Sequence, residues 1–576
     1  MRFCLYADPA TACAVRLVTL DGRVLSTHPM RGPGDGYFMV EIPGVGHGVL
    51  YKLVVDDREL PDPFARFLPQ GVNGPAMVMV PAHPWRHGRG VARPLSEQSL
   101  YELHVGTFSD EGTYDGVRKR LPDLVALGIT TVELMPVAAF AGQRGWGYDG
   151  VALFAPFAPY GTPDQLRALV DEAHGLGLSM ILDVVYNHFG PAGNYLPSYS
   201  GRYFTREERN AWGDALDYAH APMRQLVLDN ALYWLEAFRF DGLRLDATHA
   251  IVDRSPRSVL DDLADAVKEL APRKVLIAED ERNDATLMTR VGLDAVWADD
   301  FHHAVRVSVT GERDGYYAAY EGGASELARI INQGWLYQGQ TYPPTGKARG
   351  TRATGVAASA FVFCIQNHDQ VGNRAFGDRL SRNVPAETYR AVSTLLLFLP
   401  MTPLLFMGQE WAASSPFLFF TDHDEALGRL VSQGRREEFK TFAAFSEPSA
   451  RARIPDPQDV RTFEASRLDW DERGRGAHAR TLELYRALLR LRRSDPVLRS
   501  SPREGLSAEA VGEVLVVRRV ADAGQRCLLL NLGATPVAFD DLPIAREQAE
   551  VIFDSEGPGR IGDPLAPHTA IILGVG

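Results

Sequence analysis

Phe240-Asp241-Gly242-Leu243-Arg244-Leu245-Asp246 is a short apolar run that carries an arginine and an aspartate two residues apart, then breaks into Ala247-Thr248-His249. Side chains along a strand alternate sides with a period of two, so Arg244 and Asp246 point the same way. A carboxylate beside a guanidinium stays ionised at neutral pH, because the adjacent positive charge favours its charged form. Such a group can attack an electrophilic carbon. It can equally be half of a structural salt bridge at a strand end, and the surrounding chain has to decide.

Outward from this strand, the sequence alternates strand and helix. Strands are expected at 100–105 and 132–136 and in runs ending at Asp183, Asp246, Glu279, Asp299, Ile365 and Met407. Between them lie helical patterns. One ends at Leu127-Gly128, and another starts at Thr162-Pro163 with Leu166, Leu169, Val170 and Ala173 on one face. Further helices are expected at 222–238, at 256–270 with Ser255 as cap, at 385–399 and at 477–493. Eight strands alternating with helices imply a parallel sheet closed into an α/β (β/α)8 TIM barrel, here 93–497. Residues 1–92 read as an N-terminal β-sandwich of carbohydrate-binding-module type, from β-rich runs at 37–42 and 50–55 around a Gly- and Pro-rich turn. It either binds a ligand or braces its neighbour. Runs at 514–517, 527–532 and 570–573 give a C-terminal antiparallel β domain, expected as a sandwich over 498–576.

Sixty basic against 73 acidic residues leave a net charge of −13, which disfavours nucleic acid or an anionic membrane as partner. The most membrane-like stretch, 391–407, is interrupted by Pro400 and Pro403 and reads as a buried helix, a turn and a strand. Cys4, Cys13, Cys364 and Cys527 form no CxxC pair, so no zinc site is supported, and reduced thiols in the cytoplasm are expected. The N-terminus meets Asp8 before any signal-type apolar core can form, so export is not expected.

Active residues of such barrels lie at the C-terminal ends of the strands. Four stretches put polar groups there: Ile181-Leu182-Asp183-Val184-Val185-Tyr186-Asn187-His188, Leu243-Arg244-Leu245-Asp246, Leu276-Ile277-Ala278-Glu279-Asp280 and Cys364-Ile365-Gln366-Asn367-His368-Asp369. Asp246 and Glu279 are one strand–helix unit apart and therefore belong to neighbouring strands. Glycoside hydrolysis needs two such carboxyl groups, one ionised to attack the anomeric carbon and one protonated to release the leaving oxygen. Asp246 beside Arg244 suits the first role. Glu279, with no cation next to it in sequence, suits the second, since burial raises a carboxyl pKa. Asp369 beside His368 could bind sugar hydroxyls and steady the charge developing on the ring.

These four stretches, in this order on these strands, resemble the four signature regions of the α-amylase superfamily (glycoside hydrolase family 13). The resemblance implies Asp246 as nucleophile, Glu279 as general acid/base and Asp369 as transition-state stabiliser. It also implies sugar contacts from His188, Arg244, His368, Tyr148 and Asp149, with Trp146 either in the site or simply packing. His188 read without the resemblance could be a core histidine. Asn187, a calcium ligand in some relatives, has no acidic loop to complete an oxygen cage, so no metal and no cofactor are expected. His249 matches the position of a basic residue that contacts sugars beyond the cut. Glu281, Arg282, Asn283 and Asp284 line the same pocket or form a solvated loop, and Asn283 is taken as a binding residue.

Three further stretches narrow the resemblance to the maltooligosyltrehalose trehalohydrolases. They are Trp297–Ala304 with Thr310–Tyr317, then Gln366–Arg374 continued to Leu380, then Pro416–His423. Met407-Gly408-Gln409-Glu410 departs from the pattern, which has an acid at Gln409. The resemblance implies a retaining hydrolase that releases trehalose from maltooligosyltrehalose, a neutral oligosaccharide, after a maltooligosyltrehalose synthase has acted and without an obligate complex. Alternatives are a 1,4-α-glucan branching enzyme and a catalytically dead glycan-binding protein.

Overall fold

The protein is described from a computed structural model covering residues 1–88, 90, 93–210, 212–499, 502–544, 549–557 and 564–575. Its centre is a closed barrel of eight parallel strands paired in sequence order: Leu100–Leu103 (β1), Thr131–Leu134 (β2), Ser179–Val184 (β3), Gly242–Leu245 (β4), Val275–Glu279 (β5), Ala295–Trp297 (β6), Phe361–Phe363 (β7) and Thr402–Phe406 (β8), with β8 returning to β1. Along each strand one parity fills the barrel and the other meets the outer helices. Leu100, Ile181, Ile277, Ala295, Val362 and Leu404 form an apolar plug inside, separate from the main core. The parity places Glu102, Glu133, Asp183 and Arg244 above that plug, toward the strands' C-terminal ends.

Several strands stop earlier than the sequence suggests, because the polar residues at the mouth leave the ladder. Asp246 follows β4 instead of ending it, and the strand expected to end at Asp299 stops at Trp297, with a helix, Asp299–Thr310, opening at that aspartate. After β1 the chain turns at His104 into the short helix Val105–Phe108. The helix Pro163–Gly175 is capped as expected, with Thr162 and Gln165 exchanging side-chain-to-backbone hydrogen bonds. The helix expected at 256–270 is Val259–Lys268, and its cap is Ser258, not Ser255. Ser258 and Asp261 satisfy each other's backbone N–H groups, whereas no acid or amide stands three residues after Ser255.

The N-terminal region forms two sheets. Arg2–Tyr6, Tyr37–Glu41 and Arg31–Gly34 make one, and Val24–Pro29, Cys13–Val18, Leu50–Val55 and Arg58–Leu60, with Ala76–Met77 beside Leu50–Val55, make the other. They face each other through contacts such as Phe3 on Tyr51, with ring centroids 5.0 Å apart. The expected boundary near residue 92 lies outside the described residues. This unit grips the long excursion that follows β3. Tyr199 donates to the Pro61 carbonyl at 2.7 Å, Arg58 to Ser198 at 3.0 Å, and Arg202 pairs with Asp8 at 3.0 Å. The excursion ends in a hairpin, Phe204–Asn210 with Gly213–Leu216, whose charged FTREERN strand carries no apolar alternation to betray it.

The C-terminal region departs from the sandwich expected over 498–576. Its described residues carry one five-stranded antiparallel sheet, in the order Leu506–Val511, Val514–Ala521, Gly524–Asn531, Ala570–Val575, Ala549–Asp554. A second sheet is unnecessary because both faces are already covered. Val514, Val516, Leu529 and Leu573 lie under Phe539, Leu542 and Leu565 from the connections, while Leu515, Val517, Leu528 and Ile572 join the main core against the barrel. Among the described residues, no helix is long and apolar enough to cross a membrane. The stretch 391–407 contributes to the helix Ala386–Phe398 and to β8.

Candidate active site

The site is assembled around one guanidinium. Arg244 is fully buried, and its Nη1 donates to Asp183 Oδ2 and to Asp246 Oδ1, each at 2.8 Å. Its Nη2 lies 2.7 Å from Glu279 Oε2, an ion pair without hydrogen-bond alignment. Beneath it, the guanidinium carbon sits 4.3 Å from the centroid of the Trp297 ring. One cation thus joins carboxylates from β3, β5 and the end of β4. Glu279, which has no cation next to it in sequence, meets one from the neighbouring strand.

The two central acids are nevertheless driven apart. Burial pushes Asp246 upward, but Arg244, the Asn187 hydrogen bond and His188 together outweigh it, and its carboxyl ends below the usual range. Asn187 Nδ2 donates to Asp246 Oδ2 at 2.8 Å and to its carbonyl at 2.9 Å. Asn187 Oδ1 faces His188, so this residue is engaged in positioning. Burial pushes Glu279 well above the carboxylate range, with Arg244 opposing and the charges of Asp246 and Asp369 adding to it. Ala247 takes a left-handed backbone conformation, φ 39°, unusual for a residue with a Cβ, and the turn points its N–H at Glu279 Oε2, 2.9 Å away.

His368 and Tyr148 form the opposite wall. Tyr148 donates to Asp183 Oδ2 at 2.7 Å and stacks on His368, with centroids 5.1 Å apart and planes at 21°. Although burial opposes its charge, Asp369 and Glu102 hold the His368 imidazolium up to about 10. Glu102 accepts from both the ring Nδ1 and the backbone N–H of His368, and Asp369 Oδ1 lies 3.4 Å from the ring Nε2. Asp369 is partly exposed at the mouth and takes a hydrogen bond from Asn373. Burial also pushes Asp183 up, to about 7, against the pull of Arg244. His188 Nε2 donates to the Tyr148 carbonyl at 3.0 Å, and the ring stacks on Trp212 at 4.2 Å and 7°. Asp149 is raised by burial and faces His423 at 3.6 Å.

A family model described as "Alpha amylase, catalytic domain" matches residues 60–200, and one described as "Domain of unknown function (DUF3459)" matches 503–572. The chain is 51% identical over 537 residues to a malto-oligosyltrehalose trehalohydrolase of Deinococcus radiodurans, spanning 92% of this chain and 87% of that protein. The chain belongs to the malto-oligosyltrehalose trehalohydrolase family. A crystal structure of a Salmonella typhimurium protein designated an alpha amylase superposes with a TM-score of 0.91 at 39% identity, covering 100% of this chain and 97% of that one. A 1,4-alpha-glucan branching enzyme of Corynebacterium glutamicum is 33% identical over 273 residues, which is 43% of this chain.

In this trehalohydrolase-family chain, Trp146, which the sequence leaves between the site and simple packing, and Asn283, expected as a binding residue, both face elsewhere. Trp146 is 7% exposed, donates to the Leu418 carbonyl and packs on Phe417 behind His368, so it supports the wall instead of forming it. Asn283 is 2% exposed and donates to Asp300 Oδ2 at 2.8 Å; its left-handed φ of 56° turns it inward from the loop. His249, in the turn Thr248–Ala250, stays partly open, 3.9 Å from the exposed Glu281. Arg282 pairs with Asp280 at 2.5 Å. Three neighbours of the site were not singled out from sequence. Strand parity could have flagged Glu102, and Trp297 lay in a quoted motif without a role. Trp212 gave no signal, since it is brought to His188 by the hairpin.

Proposed function

We propose that this chain hydrolyses the α-1,4 bond between a maltooligosaccharide and its terminal trehalose, releasing free trehalose. The observation that carries the reading is the geometry at Arg244: one guanidinium between Asp246 and Glu279, in surroundings that lower the carboxyl pKa of the first and raise that of the second, in a chain 51% identical to a malto-oligosyltrehalose trehalohydrolase. An Asp246 oxygen attacks the anomeric carbon of the glucose on the near side of the cut. Glu279 gives its proton to the departing oxygen of the trehalose unit. Glu279, now ionised, takes a proton from water, whose oxygen attacks the same carbon and frees Asp246. One water is consumed and configuration is retained. Asp369 and the His368 cation bind ring hydroxyls as charge develops, and Tyr148 lies beneath the sugar. The partner is then a neutral oligosaccharide, and the four free thiols fit the cytoplasm.

The discriminating experiment compares maltotriosyltrehalose with maltopentaose, a plain chain of equal length, by product chromatography. Selective trehalose release from the first is expected. Equal cutting of both, or transfer to another chain without new reducing ends, would return the substrate to amylase or branching chemistry.

The opposed pKa directions also predict a pH profile. Hydrolysis requires Asp246 ionised, so kcat/KM should fall on the acid side only below the ordinary 3.8 of an aspartate. It requires Glu279 protonated, so the alkaline limb should appear well above the ordinary 4.5 of a glutamate. A rate profile over the pH range where the fold persists tests this, and an alkaline limb near the ordinary glutamate value would refute the assignment of Glu279.

A further inference from the structure

At the opposite end of the barrel, where β1, β2 and β3 begin, a pocket of about 390 Å³ opens between the outer helices. Arg93, Arg492, Arg493 and Arg499 line it, and Glu97 is the one acid among its described lining residues. Such a concentration of one sign is unexpected in a chain with net charge −13, which has carboxylates to spare. Among the described residues, none of these four arginines has an ion-pair partner. Arg492 is only 6% exposed, and its guanidinium donates solely to main-chain carbonyls, those of Leu397 at 3.1 Å, Met401 at 2.8 Å and Leu399. Arg93 donates its Nη2 to the Gly177 carbonyl at 3.2 Å, while its buried Nε has no partner. Arg493 and Arg499 stand at the exposed rim. Four guanidinium groups around one cavity repel one another, and a buried donor without an acceptor costs free energy. A bound anion would relieve both.

We infer that this pocket binds a phosphate-bearing small molecule. Guanidinium groups recognise phosphate through paired, charge-assisted hydrogen bonds, and four of them match a dianion better than a single carboxylate. The volume is that of a small-molecule site, about 300–1,000 Å³, leaving room beyond one phosphate for a sugar or nucleoside. The hydroxyl of Thr130 on the lining offers a further polar contact. The inference is independent of the reaction assigned above, since the pocket lies at the other end of the strands.

Isothermal titration of the full chain with inorganic phosphate, glucose 6-phosphate and ADP, at low salt, tests it. Saturable binding of at least one probe is expected, weakening by about tenfold or more in an Arg493→Ala/Arg499→Ala double variant. Equal affinity for all three would identify the phosphate alone as the ligand, and tighter binding of the sugar or nucleotide ester would show that the rest of the cavity is used. Trehalose release without added phosphate should be unchanged in the variant, which separates failure of this site from failure of the assigned reaction. Should the double variant melt below the parent, the single rim change Arg499→Glu replaces it, with the same weakening expected. No saturation by any probe up to about 10 mM, or affinity unaltered in a variant that melts like the parent, overturns the proposal.

Discussion

Asp246→Ala is expected to lower kcat by about 10⁴-fold or more while the protein keeps its fold. The cavity is small, and Arg244 keeps its hydrogen-bonded pair with Asp183, so the buried cation is not left without a partner. Glu279→Gln should cost about 10²–10⁴-fold on the natural substrate, because a glutamine has no proton to give. It keeps an acceptor for the Ala247 N–H, so the local turn survives. The two losses can be told apart with an aryl glycoside whose leaving group needs no protonation. Glu279→Gln should then form the glycosyl intermediate at near-normal rate, whereas Asp246→Ala should remain inactive. Turnover by Asp246→Ala within tenfold of the parent would end its assignment as nucleophile.

Arg244→Met is the second large effect. It removes the one charge that Asp183, Asp246 and Glu279 share, leaving three buried carboxyl groups facing one another. Breaking a buried ion pair from one side costs about 3–5 kcal/mol, so a clear drop in thermal midpoint is expected. Arg244 also holds the Asp246 carboxyl down, and without it that carboxyl rises. Any residual activity should therefore show its acid limb displaced to higher pH. Arg244→Lys restores a charge but not the planar fork, and should recover stability more than rate. A methionine variant that melts with the parent and keeps its acid limb would show that the arginine does neither job.

The barrel was legible because its signals are local. Apolar runs of fixed length, helix caps such as Thr162–Gln165 and polar residues at strand ends all act within a few residues. The same locality placed Asp183, Asp246, Glu279 and Asp369 at one mouth. What escaped were properties set by packing between distant segments. Arg244 reaching Glu279 depends on neighbouring strands in register, Arg244 opposite Ile277 and Leu245 opposite Ala278. Trp146 and Asn283 sit in the right motifs, yet one is drawn under His368 by Phe417 and the other inward by Asp300. Trp212 is invisible for a third reason: its hairpin is charged, exposed and non-periodic, so nothing in its own sequence says that it folds back on His188.

The N-terminal region holds that excursion through Arg58, Pro61 and Asp8, each more than 100 residues away in sequence from the partner it grips. Small units bury a smaller share of their surface than large ones and are among the first to loosen on heating. Catalysis should consequently fade at a lower temperature than the one at which the barrel's helices melt. On cooling from that interval, before the barrel has opened, activity should return, making this region a thermal fuse for the enzyme.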